Sequence, residues 1–398
     1  MPVQLLLTYD FPPIGGGIAR MMGELAKRYP PGTLVVSTGQ HPDSGATDGV
    51  LTNRVDRLAV PSRRLRTVQG LLRWSHRAVT LARSVRPEFV WCGNLKPAGY
   101  PARWIQQRLG IPYGIVLYGT DLLLLRHRIR HSVLKRSVAR RLIGSASVLV
   151  AISRWTRDET VSLLDDLGLQ SRNIDVRLLP LGTDPEHFRP RVDTSGVRAR
   201  YGLVEGRWLL TVARLAAHKG IDTVLQVLAS LGGDYPDLRY LVVGRGDRLS
   251  DLQGLAQKLG VADRVRFLTD VPDSDLPALY NTAEIYMGLS RPAGLMVEGF
   301  GISLSEASAS GIPVIAGSGG GIPDAVRDGE TGLLVRAEGA EAATAAVRSL
   351  LADRELAGRL GTEGRRAVET YYNWDRVTSE LAGIGHELGK SASQEVAR

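Results

Sequence analysis

Short apolar runs alternate with longer amphipathic stretches along this chain. The runs of the first half are VQLLLTYD, TLVVST, EFVWCG, PYGIVLYG and SVLVAIS; those of the second are RWLLTVAR, RYLVVGRG, RVRFL, EIYMGLS and PVIAGSG. Between them, ARMMGELAKRY, IDTVLQVLASL and LSDLQGLAQKLG carry apolar residues at helical spacing. Alternation of this kind predicts βαβ units on a parallel sheet. It occurs twice, which predicts two doubly wound α/β domains. The boundary falls near LPLGTDPEHFRP, where Pro180, Pro185 and Pro190 interrupt any regular element. A length of 398 residues also favours two domains over one core.

In open parallel sheets, ligands collect beyond the carboxyl ends of the strands. Four stretches meet that condition. The first is Asp10 to Arg20, in which Gly15, Gly16 and Gly17 precede a helix starting near Ile18. Bare amides at a helix start attract phosphate. A dinucleotide fingerprint would need a final glycine where Arg20 stands, so the loop does not read as one. The second is TVARLAAHKG, where Arg214 and Lys219 could neutralise a pyrophosphate. The third is VVGRGDR, where Gly244 and Gly246 allow close backbone approach or simply make a tight turn. The loop FLTDVPDSDL behind it, with Val271, could offer backbone groups to a nucleobase edge. The fourth is RPAGLMVEGFGISLSEASAS, a glycine-rich loop leading into a helix. Amides around Phe300, Gly301, Ile302 and Ser303 would suit a phosphate. Glu298 and Glu306 would flank them and accept hydrogen bonds from sugar hydroxyls.

Taken in order, the glycine loop, GTDPEHFRP, VARLAAHKG, VVGRGD, the two glutamates, ASGIPVIAGSGGGIPD and GETGLLV resemble the retaining glycosyltransferases of family 4. TYDFPPIGGGIA and RPAGLMVEGFGISLSEASASGIPVIAG look most like the bacterial phosphatidylinositol mannoside mannosyltransferases. The resemblance implies the GT-B fold, with two Rossmann-like domains facing across a cleft. It implies an acceptor-side domain over 1–185 and a donor domain over 186–373. A last helix over 374–398, from Trp374, would cross back to the first domain. Arg214 and Lys219 would grip the donor diphosphate. Glu306 would hold the ribose, and Glu298 the transferred hexose. Gly16 and Gly17 would approach the diphosphate from the other domain. Many relatives carry His-Gly after the fourth strand; here Tyr118 takes the histidine position and Asp121 follows three residues on. A phenol exchanges hydrogen bonds but carries no positive charge. Asp10 reads either as an acceptor-side group or as a turn residue before Pro12.

The expected chemistry is transfer of a hexose to a hydroxyl with retention of the α configuration, through an oxocarbenium-like transition state. Preorganised cations and amides would stabilise the departing phosphate, so no obligatory metal or cofactor is expected. GDP-mannose is the favoured donor and a UDP-sugar the other. The acceptor is a glycolipid, a saccharide or a natural product. On this reading, Lys219→Ala lowers turnover far more than stability.

Charge adds one point. Residues 1–185 hold 26 Lys and Arg against 13 Asp and Glu, a net of +13, and the remainder nets −4. The first half therefore expects an anionic partner. Projected as one helix, residues 63–85 put Leu65, Val68, Leu72 and Val79 on one side, with Arg63, Arg66, Arg73, Arg77 and Trp74 beside them. Residues 126–141 are basic too, with Leu134, Val138 and Leu142 as a buried stripe. Both segments suit an anionic membrane surface. No apolar run reaches the ~18 residues of a spanning helix. The opening residues read as a strand rather than a signal peptide, and the lone Cys92 fits a reducing cytosol. The expected location is cytoplasmic, peripheral to the inner face of the plasma membrane. A nucleic-acid binder would interleave aromatics with its basic runs, and this chain does not. The rival enzymes on the same fold are a nucleotide-sugar epimerase and a phosphorylase, and the non-enzymatic alternative is an anionic-polymer binder.

Overall fold

A computed structural model describes residues 2–170 and 174–396. The chain divides into two compact units, Met1–Leu179 with Trp374–Arg398, and Pro180–Asn373. Among the described residues, no helix is long and apolar enough to cross a membrane.

The first unit is built on a seven-stranded sheet: β1 (Gln4–Leu7), β2 (Leu34–Gln40), β3 (Arg54–Pro61), β4 (Phe89–Cys92), β5 (Tyr113–Leu117), β6 (Val148–Ala151) and β7 (Asp175–Leu178). Their order is β3-β2-β1-β4-β5-β6-β7, and every pairing is parallel. The second unit carries β8 (Arg207–Val212), β9 (Leu238–Val243), β10 (Val265–Leu268), β11 (Ile285–Gly288), β12 (Val314–Gly317) and β13 (Leu333–Val335). Their order is β10-β9-β8-β11-β12-β13, again all parallel. The winding direction reverses between β1 and β4 in one sheet and between β8 and β11 in the other. Those are the two switch points at which such sheets hold ligands.

Helices cover the faces because the central strands are apolar on both sides. In β1, β4, β5, β6 and β12 every residue is buried. The helix Trp374–Val396 belongs to the first unit, although the chain reaches it from the second. Gln4 explains its seat. The Gln4 carbonyl oxygen accepts from Trp91 Nε1 (3.0 Å) and from the Tyr29 hydroxyl (3.0 Å), and its Nε2 donates to the Ala382 carbonyl at 2.9 Å. At Gly385 a Cβ would sit 2.6 Å from the Gln4 side chain, so glycine lets the helix lie against it. The last residues, SASQEVAR, read as frayed from the sequence; 391–396 of them continue this helix, and 397–398 lie outside the described residues.

The two basic segments fold differently from their projections. Residues 63–85 are not one helix. A 3-10 turn, Ser62–Arg66, ends at Thr67, whose extended backbone and side-chain cap on the Gly70 amide restart the chain as the helix Val68–Val85. The break shifts the phase. Leu65 is buried, but Val68 is 78% and Leu72 51% exposed. Trp74 is fully buried and donates from Nε1 to Ser37 Oγ at 3.1 Å, so it is a core residue and no membrane anchor. Arg77 is tied to Asp56, and Arg66 stacks 4.1 Å over the Tyr9 ring. Residues 126–141 break likewise, between the helices Gly119–Arg130 and Val133–Gly144. Leu142 is buried as expected, but Leu134 stands 75% exposed beside Val133 at 85%. A cap inside a periodic pattern breaks the projection, so Val68, Leu72 and Leu134 are misassigned while Val79 and Leu142 keep the burial expected of them.

Candidate nucleotide-sugar site

At the switch point of the second unit, two loops meet. The loop after β8 carries Arg214 and the short turn Ala217–Lys219; the loop after β11 carries Glu298. Lys219 Nζ donates to Glu298 Oε2, and the two side chains are 18% and 21% exposed. Burial pushes the Glu298 carboxyl up. Lys219, through charge and hydrogen bond, then His218 and Arg214, outweigh that and hold it below the usual carboxylate range. His218 is lowered to about 4 by burial first and by Lys219 next, so its imidazole is neutral near pH 7. Arg214 is exposed. Among the described residues its guanidinium holds no ion pair, which leaves it available to an anion.

The helix Ile302–Ala309 starts beside this pair. Its N-cap, Gly301, has φ 99°, a left-handed backbone that other residues rarely adopt. The first amides of a helix have no partner within it, and they sit at its positive end. Glu298 is close by: a Cβ added to Gly301 would meet Glu298 Cγ at 3.7 Å. Glu298 is also held by its backbone. Its carbonyl accepts from the Gly321 amide at 2.9 Å, and Gly320 is packed against it so closely that a Cβ would lie 2.4 Å away. The SGGG run after β12 is therefore explained by the Glu298 loop it supports.

Glu306 is in the second turn of that helix and only 4% exposed. One of its oxygens accepts from the Tyr280 hydroxyl at 2.6 Å. Tyr286, stacked 5.7 Å from Tyr280, feels both Glu306 and Glu298. Lys219, Glu298, the helix start and Glu306 thus share one place. Phe300 contributes only backbone there, because its ring is buried 6.2 Å from that of Tyr372. At the far end of the helix, Arg365 Nη1 donates to the carbonyls of Pro185, Phe188 and Ala309 at 2.7–2.8 Å and fixes its axis.

Gly244 and Gly246 have a structural reason of their own. A Cβ would meet the Ala213 carbonyl at 2.0 Å and the Leu215 carbonyl at 2.2 Å, respectively. The loops after β8 and β9 pack backbone to backbone, and glycine permits it. Val271, half-buried, lies on the loop after β10.

The first unit has its own cluster at the β1/β4 switch point. Asp10 follows β1, and its Oδ2 accepts from Asn94 Nδ2, after β4, at 3.2 Å. Burial raises the Asp10 carboxyl; Arg66 opposes that and Asp121 adds to it. The Asp121 carboxyl is raised too, by local desolvation against Arg66 and Arg128, although the residue as a whole is exposed. Tyr118 is buried, with its hydroxyl 3.6 Å from Met21 Sδ. Burial, then Asp121 and Asp10, keep that phenol protonated well above the ordinary range. Gly16 caps the helix Gly17–Arg28 with φ 122°, and a Cβ there would meet nothing, so the helix start is open. Sequence reasoning overlooked Tyr280 and Asn94 and put Arg66 on a membrane-facing side instead; the sheet order places all three in their clusters.

Solved structures share this architecture. HepE of Anabaena, crystallised with UDP-glucose, superposes with a TM-score of 0.77 at 18% identity, covering 96% of this chain and 98% of that one. Sucrose-phosphate synthase of Thermosynechococcus elongatus gives 0.76 at 21% identity, covering 98% and 100%. At such identities the likeness defines the fold class, GT-B. The description "Glycosyl transferases group 1" matches residues 198–367, and "Glycosyl transferase 4-like domain" matches residues 16–164. A Mycobacterium tuberculosis GDP-mannose-dependent alpha-(1-6)-phosphatidylinositol monomannoside mannosyltransferase is 33% identical over 389 residues, 95% of this chain and 96% of that protein. Its Mycolicibacterium smegmatis counterpart is 36% identical over 252 residues, and that match spans 64% of its length. A D-inositol 3-phosphate glycosyltransferase of Acidothermus cellulolyticus is 34% identical over 260 residues, 55% of its length. The chain belongs to the family 4 glycosyltransferases, enzymes that take their sugar from a nucleotide sugar.

Proposed function

We propose that this protein transfers mannose from GDP-mannose to a hydroxyl of a lipid-linked polyol, with the α configuration retained. The observation that carries this is the Arg214 guanidinium, without an ion pair among the described residues, near the Lys219–Glu298 pair and the uncapped start of the helix Ile302–Ala309. Such a group suits a sugar-bearing diphosphate: cations for the phosphates, amides for developing charge, a carboxylate for hexose hydroxyls. The full-length mycobacterial relative favours mannose and a phosphatidylinositol-linked acceptor.

In this reading Arg214 and Lys219 stabilise the departing diphosphate, and Glu298 orients the hexose. Glu306, fixed by Tyr280, receives ribose hydroxyls. Gly246 and Val271 border the nucleobase, and the amides of Gly301, Ile302 and Ser303 bind phosphate. In the first unit, Gly16 and Gly17 leave a helix start open to an anion, and Asp10 at the β1/β4 switch point receives the acceptor hydroxyl. Tyr118 donates a neutral hydrogen bond where a charged imidazole would otherwise stand. The diphosphate takes the acceptor proton on the face it leaves, so no separate base is required, and Arg214 and Lys219 supply the charge that a metal would otherwise bring. Purified protein given GDP-mannose and a phosphatidylinositol mannoside is expected to yield an α-mannosylated lipid. A donor sugar converted to its epimer without acceptor would instead show the epimerase.

The membrane reading moves to the residues that are exposed. Val133 and Leu134 project from the start of a helix flanked by Arg128, Lys135 and Arg136, with Arg130 paired to Asp166 at 3.4 Å. Aliphatic tips ringed by cations fit an anionic bilayer at the inner face of the plasma membrane. Vesicles containing anionic lipid are expected to sediment the protein at low salt, and Val133→Asp with Leu134→Asp to abolish it. Equal sedimentation of the double variant would refute this surface.

A further inference from the structure

The Lys219 turn and the Glu298 loop are tied together by a side chain outside the family-level reading. Arg291 lies three residues after β11, at the base of a short hairpin closed by the Ala293–Met296 bridge. Its Nη2 donates to Asp222 Oδ2 at 2.5 Å and its Nη1 to Thr223 Oγ1 at 2.9 Å. Both acceptors lie in the first turn of the helix Ile221–Ser230, immediately after Lys219 and Gly220. The Arg291 amide donates to the His218 carbonyl at 2.8 Å. Gly220, at φ 68°, presses against the Leu289 carbonyl, where a Cβ would come within 1.9 Å. The chain thus forms a closed ring: from the Lys219 turn through Arg291, around the hairpin to Glu298, and back to Lys219 by the ion pair.

We infer that Arg291 is a positioning residue that, through Asp222 and Thr223, sets the Lys219 ammonium and the Glu298 carboxylate at the separation a hexose diphosphate needs. The reason is geometric. Lysine is a point charge on a flexible stem, so its direction comes from the backbone that carries it. That backbone is a three-residue 3-10 turn, Ala217–Lys219, with little internal hydrogen bonding. Arg291 supplies the missing restraint as a fork on two adjacent residues plus one main-chain bond. Its side chain is 22% exposed and its charge is neutralised by Asp222, so it serves the site through the turn rather than by meeting the diphosphate.

This inference rests on the donor reading above, and the test separates the two. GDP and GMP are titrated into wild type, Arg291→Ala and Arg291→Lys, and hydrogen exchange is followed at the amides of 217–222 and 297–301. The expected result for Arg291→Ala is at least a tenfold loss of GDP affinity, unchanged GMP affinity, and faster exchange at both segments, with the unfolding midpoint nearly unmoved. Arg291→Lys keeps the charge, loses the fork, and is expected to behave like Arg291→Ala. Unchanged exchange in Arg291→Ala overturns the inference, as does faster exchange with unchanged GDP binding. Failure of wild type to bind GDP overturns the donor reading, while exchange still reports on the ring.

Discussion

Lys219→Ala is expected to abolish sugar transfer and also to loosen the fold. Loss of one preorganised donor to a departing oxyanion costs about 10²–10³ in rate. The stability cost arises because Lys219 is the partner of Glu298, a carboxylate that is four-fifths buried. Removing one member of a buried ion pair strands the other, at about 3–5 kcal/mol when burial is complete. The residual exposure of Glu298 reduces that to about 1–2 kcal/mol. The sequence alone assigned Lys219 to turnover with little structural cost, and the ion pair revises that expectation. Adding Glu298→Gln to Lys219→Ala is expected to recover most of the lost denaturation midpoint and none of the activity. Arg214→Ala, which strands no partner, is expected to cost activity with no change in midpoint. If the double variant is no more stable than Lys219→Ala, the pair is not what holds this loop.

The second large effect is expected at Gly301. Its φ of 99° disfavours any side chain, and a Cβ would sit 2.6 Å from Leu304 Cδ1. Leu304 can yield, but the backbone strain of about 1–2 kcal/mol remains. Gly301→Ala would relieve it by turning the start of the helix Ile302–Ala309, which moves the amides assigned to phosphate. We expect kcat/KM for the donor to fall by about 30-fold or more, at ~1.4 kcal/mol per tenfold. Gly254→Ala is the matching control, since it lies half-buried in the helix Leu249–Lys258 with nothing within 4 Å of the added carbon. It is expected to leave kcat/KM unchanged and stability equal or slightly higher. Equal kinetics for wild type and Gly301→Ala would remove the helix start from the site.

The fold was legible wherever a strand is buried on both faces. All ten apolar runs appear as strands, and the helix Trp374–Val396 starts at the residue named for it. The strands overlooked are β3, β7 and β13, all at sheet edges. An edge strand is half covered, so charges interrupt the aliphatics in β3 (RVDRLAVP) and β7 (DVRL), whereas β13 (LLV) is aliphatic but only three residues long. The basic helices went wrong for a different reason, since Thr67 and Ser132 restart helices inside a periodic pattern. In the candidate site, residues following strands were readable because strand ends place them. Pairings were not. That Glu298 would meet Lys219, or Glu306 meet Tyr280, depends on β11 lying beside β8 and on the helix after β10 reaching the one after β11. Sequence order does not contain that adjacency. Gly244 and Gly246 show the converse, because the backbone of the neighbouring loop requires glycine at both positions whether or not a ligand borders them.

The account stands on the second unit recognising a diphosphate through Arg214, Lys219 and the open helix start. Calorimetric titration of GDP and GMP into wild type and Arg214→Ala tests this most directly. The predicted result is GDP binding at least tenfold tighter than GMP in wild type, with most of that difference gone in Arg214→Ala. Equal affinity for the two nucleotides in wild type, or a difference untouched by Arg214→Ala, would contradict it.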